Sequence, residues 1–215
     1  MRFHGFFRSG AAWRCRIAFA LKGVSPEFVP VHLRRGGGEQ KAPAYKALAP
    51  QGLVPALEVD GHVLTQSLAI IEWLEETIPE PALLPKDAFA RAEVRAFALV
   101  ISADVHPLNN LRVLNYLKDP LGHDQATVDA WYRHWCEAGL AALEVIAARA
   151  AGRGRFTFGD TPGLADVCLV PQMGAARRFG TDTRVYPRLT AIEAACDELA
   201  AFVEARPDRQ PDAEA

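Results

Sequence analysis

Phe3, Phe6 and Phe7 form a short apolar run that predicts a strand ending at Arg8. Ser9-Gly10 then reads as a turn with a candidate N-cap, and Ile17, Ala18 and Leu21 recur at helical spacing up to Gly23, a common helix stop. Residues 28–33 alternate like a second strand, in which Pro30 argues for an edge position. Gly36-Gly37-Gly38 breaks the chain, and 44–48 predicts a short helix before Pro50. Residues 56–59 and 62–65 flank Asp60-Gly61, a two-residue hairpin signal. Ser67 is then the expected cap of a helix with Leu68, Ile71 and Leu74 on one face and Glu72, Glu75 and Glu76 elsewhere.

The order βαβαββα that results is the thioredoxin-like arrangement, an α/β N-terminal domain over residues 1–79 without a redox dithiol. The proline-rich stretch from Pro79 to Pro85 marks a boundary, so 80–86 is the expected linker. Beyond it, residues 88–106, 124–151, 164–180 and 188–204 have helical spacing, and 87–215 is expected to be an all-α domain. Pro171 should kink the third of these helices. The polar tail from Arg206 is expected to be loose or laid along the surface.

Composition narrows the function classes. Of 215 residues half are hydrophobic and 23% charged, as in ordinary globular proteins, and a net charge of −2 gives no reason to expect nucleic acid or a membrane as partner. No apolar run approaches the roughly 20 residues that span a bilayer, and the start lacks the pattern of a signal peptide. Cys15, Cys136, Cys168 and Cys196 have no C-x-x-C spacing, so neither a zinc site nor any other metal site is indicated; the last three read as core thiols of a reduced, cytoplasmic protein.

A strand, a serine-bearing turn and a helix start aim backbone N–H groups and a positive helix end at one spot, which favours an anion: phosphate, carboxylate or thiolate. The residues alone equally allow Ser9 to be only a cap. Here the stretch from Ser9 to Phe19, Ser-Gly-Ala-Ala-Trp-Arg-Cys-Arg-Ile-Ala-Phe, resembles the S-S-C-S-W-R-V-R-I-A-L motif of zeta-class glutathione S-transferases, the family of maleylacetoacetate isomerases. Val54-Pro55-Ala56-Leu57, Asp60-Gly61 and Gln66-Ser67-Leu68-Ala69-Ile70-Ile71-Glu72 resemble the family's V-P-x-L, D-G and Q-S-x-A-I-x-E blocks. Gly159-Asp160 with Ala165-Asp166 and Leu169-Val170-Pro171-Gln172 resembles its third block.

The resemblance implies a glutathione transferase fold, a homodimer, and glutathione as cofactor. It implies that Ser9, Gly10, Ala11, Gln40, Val54, Pro55, Gln66, Ser67, His106 and Asn110 bind glutathione, with Val54-Pro55 cis, Gln40 at the glycine end and Gln66-Ser67 at the γ-glutamyl carboxylate. Ser9 matches the catalytic serine, which lowers the pKa of a thiol that is ordinarily about 8.5. Arg14 is either a further catalytic cation or a structural ion-pair partner, while Arg8, Arg112 and Arg178 are candidates for a substrate carboxylate. Arg16 and Arg34-Arg35 read as surface charge, and Asp166 as a structural part of a capping box opened by Gly163.

The implied activity is glutathione-dependent cis–trans isomerisation of maleylacetoacetate, in tyrosine breakdown, with maleylpyruvate as the alternative substrate. Conjugation or dehalogenation of small α-halo acids is a second enzyme reading. A non-catalytic interaction module is the reading of a different class, and it predicts loss of Ser9, Gln66 and Ser67, all of which are present. Gly10-Ala11-Ala12 replaces the family's Ser-Cys-Ser, so no neighbouring hydroxyl or thiol backs up Ser9.

Overall fold

The computed structural model describes residues 1–214. The chain divides into two compact units, Met1–Leu83 with the segment from Glu198 onward, and Leu84–Asp197. In the first, β1 (Arg2–Gly5), α1 (Gly10–Leu21), β2 (Glu27–Pro30), α2 (Pro43–Leu48), β3 (Ala56–Val59), β4 (His62–Thr65) and α3 (Ser67–Thr77) follow in order. The sheet runs β2-β1-β3-β4. β1 and β2 are parallel, so the chain needs a crossover between them, and α1 is that crossover. The other pairs are antiparallel.

β1 stops at Gly5, short of the expected Arg8. Its neighbour β2 ends at Pro30 on the sheet edge, and the Val31 N–H donates to the Gly5 carbonyl (2.7 Å) as the chains part. Phe6 and Phe7 leave the sheet but stay buried, so their hydrophobicity reports packing rather than strand. The β3–β4 hairpin forms as expected. Asp60 and Gly61 have φ of +49° and +79°, the doubly positive turn that suits the strand twist.

α1 and α3 pack together in this unit. Ile17, Ile70, Ile71 and Leu74 are buried between helices and sheet, with Phe3 and Leu57. Glu75 departs from its expected place on the polar face. It is buried, its carboxylate takes the Lys22 ammonium at 2.6 Å, and both its oxygens accept the Leu83 N–H. Lys22 also donates to the carbonyls of Ile78 (2.6 Å) and Pro79 (3.2 Å).

The second unit is helical. α4 (Ala88–Leu99) passes into a π-helical stretch, Val100–Val105, and then α5 (His106–Leu108). Proline lacks an N–H and its ring crowds the carbonyl four residues back. Pro107 is carried because that carbonyl, on Ala103, lies in the wider π turn. α6 (Leu111–Lys118), absent from the sequence reading, starts at Asn110, whose side chain accepts the Arg112 N–H. α7 (Gln125–Arg149), α8 (Leu164–Arg178) and α9 (Pro187–Asp197) complete it. α8 is one continuous helix through Pro171. Asp166 is buried and structural: it accepts N–H groups from Gly163 (2.8 Å) and Thr157 (2.9 Å) and the Thr157 hydroxyl (2.7 Å), while burial pushes its carboxyl pKa up. All four cysteines are buried thiols.

The expected boundary assigned the tail to the helical domain, but from Glu198 the chain belongs to the first unit, with α10 (Ala200–Glu204) as a separate helix. The tail is fastened rather than loose, and Arg16 helps to fasten it. That arginine is 8% exposed, not surface charge; it donates to the carbonyls of Ala205 and Phe7, each at 3.0 Å. Among the described residues no helix is long and apolar enough to cross a membrane.

Candidate active site

Ser9 is the N-cap of α1. Its Oγ accepts the Ala12 N–H at 3.2 Å, and its own N–H donates to the Phe6 carbonyl. An oxygen that accepts from its own helix keeps its proton to donate elsewhere. The orphan N–H groups and positive helix end lie at the same turn, with Gly10 half-buried and Ala11 buried. Arg8 is half-buried, with its guanidinium 4.9 Å from the Phe7 ring centroid.

A second helix start is built differently from its sequence expectation. Gln66, not Ser67, is the N-cap of α3, and it has φ +71°. A non-glycine residue held at positive φ costs about 1–3 kcal/mol and persists where the surroundings impose it. Here the Gln66 carbonyl accepts the Ile70 N–H while its side chain donates to Gln51 (2.8 Å). Ser67 thereby becomes the first helical residue, and its buried Oγ accepts from Arg14 Nη1 at 3.3 Å. Again the hydroxyl proton remains available beside unpaired helix N–H groups.

Arg14 is 2% exposed, and its guanidinium is turned to Ser67. Gln40, which by pattern would pass as a solvated loop residue, is buried. Its Nε2 donates to the Leu33 carbonyl (3.4 Å), while Oε1 has no hydrogen-bond partner. Gly52 has φ +62°, and a Cβ there would lie 3.0 Å from the Gln40 carbonyl oxygen. Gln51 and Gly52 thus join Gln40 to Gln66, with only Leu53 between them and Val54-Pro55, whose peptide bond is cis. Gln51 carried no motif, and only its place ahead of Val54-Pro55 marks it in the sequence.

The remaining candidates belong to the second unit. His106 opens α5, and Asn110 is committed through its side-chain oxygen to capping α6. Arg112 and Arg178 are exposed, and the Arg178 guanidinium lies 5.1 Å from the Phe179 ring centroid. Phe179 stacks on Tyr132 at 3.7 Å, and the Tyr132 carbonyl accepts from Asn109 (3.1 Å), so one packed chain links Arg178 to the 106–112 segment. Asn109 has no role of its own by sequence, and its Oδ1 is buried without a partner. Arg177, beside Arg178, is instead held bidentate by Glu193 at 2.6 Å.

Residues 8–77 match the model of the glutathione S-transferase N-terminal domain, and residues 129–205 that of the C-terminal domain. The chain belongs to the glutathione S-transferase family. It is 48% identical to the maleylacetoacetate isomerase of Pseudomonas aeruginosa over 99% of this chain and 98% of that protein. It is 51% identical, with a TM-score of 0.96 and full coverage of both chains, to a maleylpyruvate isomerase described as a bacterial zeta-class glutathione S-transferase. It is 41% identical, with a TM-score of 0.95 and full coverage of both, to the maleylacetoacetate isomerase of Methylobacterium extorquens AM1 with bound malonate and glutathione.

Glutathione carries one thiol and two carboxylates, and the first unit fits it. Two serine hydroxyls keep a proton to donate, each beside a helix N-terminus, and Gln40 holds a buried unpartnered amide atom. Hydroxyl donation and a positive helix end both favour a thiolate or a carboxylate over the neutral acid.

Proposed function

We propose that this transferase is a glutathione-dependent cis–trans isomerase of a maleyl compound, with maleylacetoacetate as substrate in tyrosine breakdown. The observation that carries the reading is Ser9: it caps α1 with an oxygen whose proton stays free, in a chain 48% identical to a maleylacetoacetate isomerase. When bound, glutathione supplies the thiolate that adds to the activated cis double bond and, after rotation about that bond, leaves with the trans isomer formed.

The chain's own residues hold and stabilise. Ser9 donates its hydroxyl proton to the sulfur, assisted by the α1 N-terminus with Gly10 and Ala11. Ser67, positioned by Arg14, and the α3 N-terminus that Gln66 opens take the γ-glutamyl carboxylate. Val54-Pro55 offers backbone groups to the cysteinyl unit, and Gln40 holds the glycine end. Arg8, Arg112 and Arg178 are the cations proposed for the substrate carboxylate, and His106 and Asn110 complete the set. In this reading Arg14 is a positioning rather than a catalytic residue.

Maleylpyruvate is the second reading, favoured by the maleylpyruvate isomerase that is 51% identical. Ultraviolet-monitored isomerisation of both substrates, with and without glutathione, decides. Turnover of maleylacetoacetate only when glutathione is present supports the first reading, faster maleylpyruvate turnover supports the second, and no turnover of either sinks both. The proposed state is a cytoplasmic homodimer. Light scattering on the purified protein tests the dimer, and a monomer at working concentration would end that part.

A further inference from the structure

We propose that the C-terminal tail positions the Ser9 turn and the Gln40 loop, with Asp212 and Glu214 as positioning residues; this rests on the glutathione reading above.

The Phe7 peptide group lies two residues before Ser9, and both its polar atoms are tied to the tail. Its N–H donates to Asp212 Oδ2 at 3.0 Å. Its carbonyl accepts from Arg16 Nη2 at 3.0 Å, and the same guanidinium reaches Ala205 in the tail through Nε. Arg16 sits on α1, the helix that Ser9 caps, and the Asp212 carboxylate stabilises its charge. The strand-to-helix turn is therefore set between an arginine of its own helix and a carboxylate 205 residues further on. Charge-assisted hydrogen bonds of this kind are stronger than neutral ones, and they fix direction as well as distance.

Two residues beyond Asp212, Glu214 reaches the other binding segment. His32 Nδ1 accepts the N–H groups of Arg34 (3.2 Å) and Arg35 (2.7 Å), so Nε2 carries the proton and donates to Glu214 Oε1 at 2.9 Å. His32 is paired through its backbone with Glu39: its N–H donates to the Glu39 carboxylate and its carbonyl accepts the Glu39 N–H. Gln40 is the next residue. The Phe6 ring lies edge-on to both Phe7 (4.7 Å) and His32 (4.9 Å), which joins the two segments under the tail. Two tail residues, Asp212 and Glu214, thus hold the turn proposed for the glutathione sulfur and the loop proposed for its glycine end.

The test compares Asp212→Ala, Asp212→Asn and the chain truncated after Gln210 with the wild type. Calorimetry gives glutathione affinity, and thiolate ultraviolet absorbance gives the pKa of the bound thiol. Asp212→Ala and the truncation are expected to weaken binding about 3- to 10-fold and raise the bound thiol pKa. Asp212→Asn, which keeps an acceptor for the Phe7 N–H, is expected to recover part of both. Wild-type affinity and thiol pKa in a folded Asp212→Ala protein would overturn the proposal, as would lost stability with both unchanged. If Asp212→Ala does not fold, Asp212→Asn decides on the same two readouts. If the wild type binds no glutathione, the glutathione reading fails by itself. Amide exchange at Phe7 and Ser9 then decides the tail's role: faster exchange in Asp212→Asn supports it, and unchanged exchange ends it.

Discussion

Ser9 and Ser67 both stand where a strand gives way to a helix, yet the two starts are assembled from different sources. Ser9 is an extended N-cap, with φ −69° and ψ 116°, whose oxygen serves its own helix at Ala12. Ser67 sits one position inside α3, behind a strained Gln66, and its oxygen serves Arg14 of α1, 53 residues away. The first start is a local device that a dozen residues can specify. The second exists only once α1 and α3 have packed. Both end in the same chemical state, a hydroxyl proton left to donate beside a positive helix end.

The strongest way to break the contrast is to loosen the packing on which Ser67 depends. α1 and α3 are pinned near their C-terminal ends by Lys22 and Glu75, both buried. Lys22→Met leaves that carboxylate buried without its cation and is expected to cost about 3–5 kcal/mol of stability in urea titration. A variant as stable as the wild type would mean the pair does not hold the helices together. Next in size is Ser9→Ala. It should lower kcat/KM for isomerisation about 100-fold through loss of the donor, and stability by about 1 kcal/mol through loss of the cap. Only the stability loss, with turnover intact, would leave Ser9 as a cap and nothing more.

Ser67→Ala should act on binding instead. The expected outcome is a glutathione KM raised about 10-fold with kcat little changed; a loss confined to kcat would reverse the roles given to the two serines. The smallest effect concerns Asp124, which caps α7 as Ser9 caps α1 but with a carboxylate that accepts the Thr127 N–H at 2.8 Å. Hydrogen bonds from the Thr127 side chain and backbone hold its pKa below the usual 3.8. A depressed folded pKa means its stabilisation is present above the unfolded value and is lost as pH falls through the folded one. Asp124→Asn cannot titrate, so its urea midpoint should fall less than that of the wild type between neutral pH and pH of about 3. Equal losses would show that this cap does not sense acid.

Much of this was legible along the chain because the rules involved are short-range. Asp60-Gly61 needs two positive φ values and contains the residues that supply them. The order of strands and helices follows from periodicity, and Ser9 announces its own helix. Pattern and structure part where hydrophobicity or charge has a distant cause. Phe6 and Phe7 match a strand by pattern, although they lie beyond β1 and only pack. Glu75 and Arg16 were given to solvent because charged residues usually belong there, yet both are buried with partners. α6 was passed over, although Asn110 at its start is a sound cap.

By itself the sequence determined the order of strands and helices in the first unit, the hairpin, the Ser9 cap and the family, each written in neighbouring residues or in motifs. Tertiary structure alone decided which charges are inside and which serine has which partner. Arg14 meets Ser67, Lys22 meets Glu75, and Phe7 meets Asp212 across 53, 53 and 205 positions. A buried charge is tolerated only where a distant segment brings its counter-charge or acceptor. No local pattern encodes that meeting, because it exists only after the chain has closed on itself.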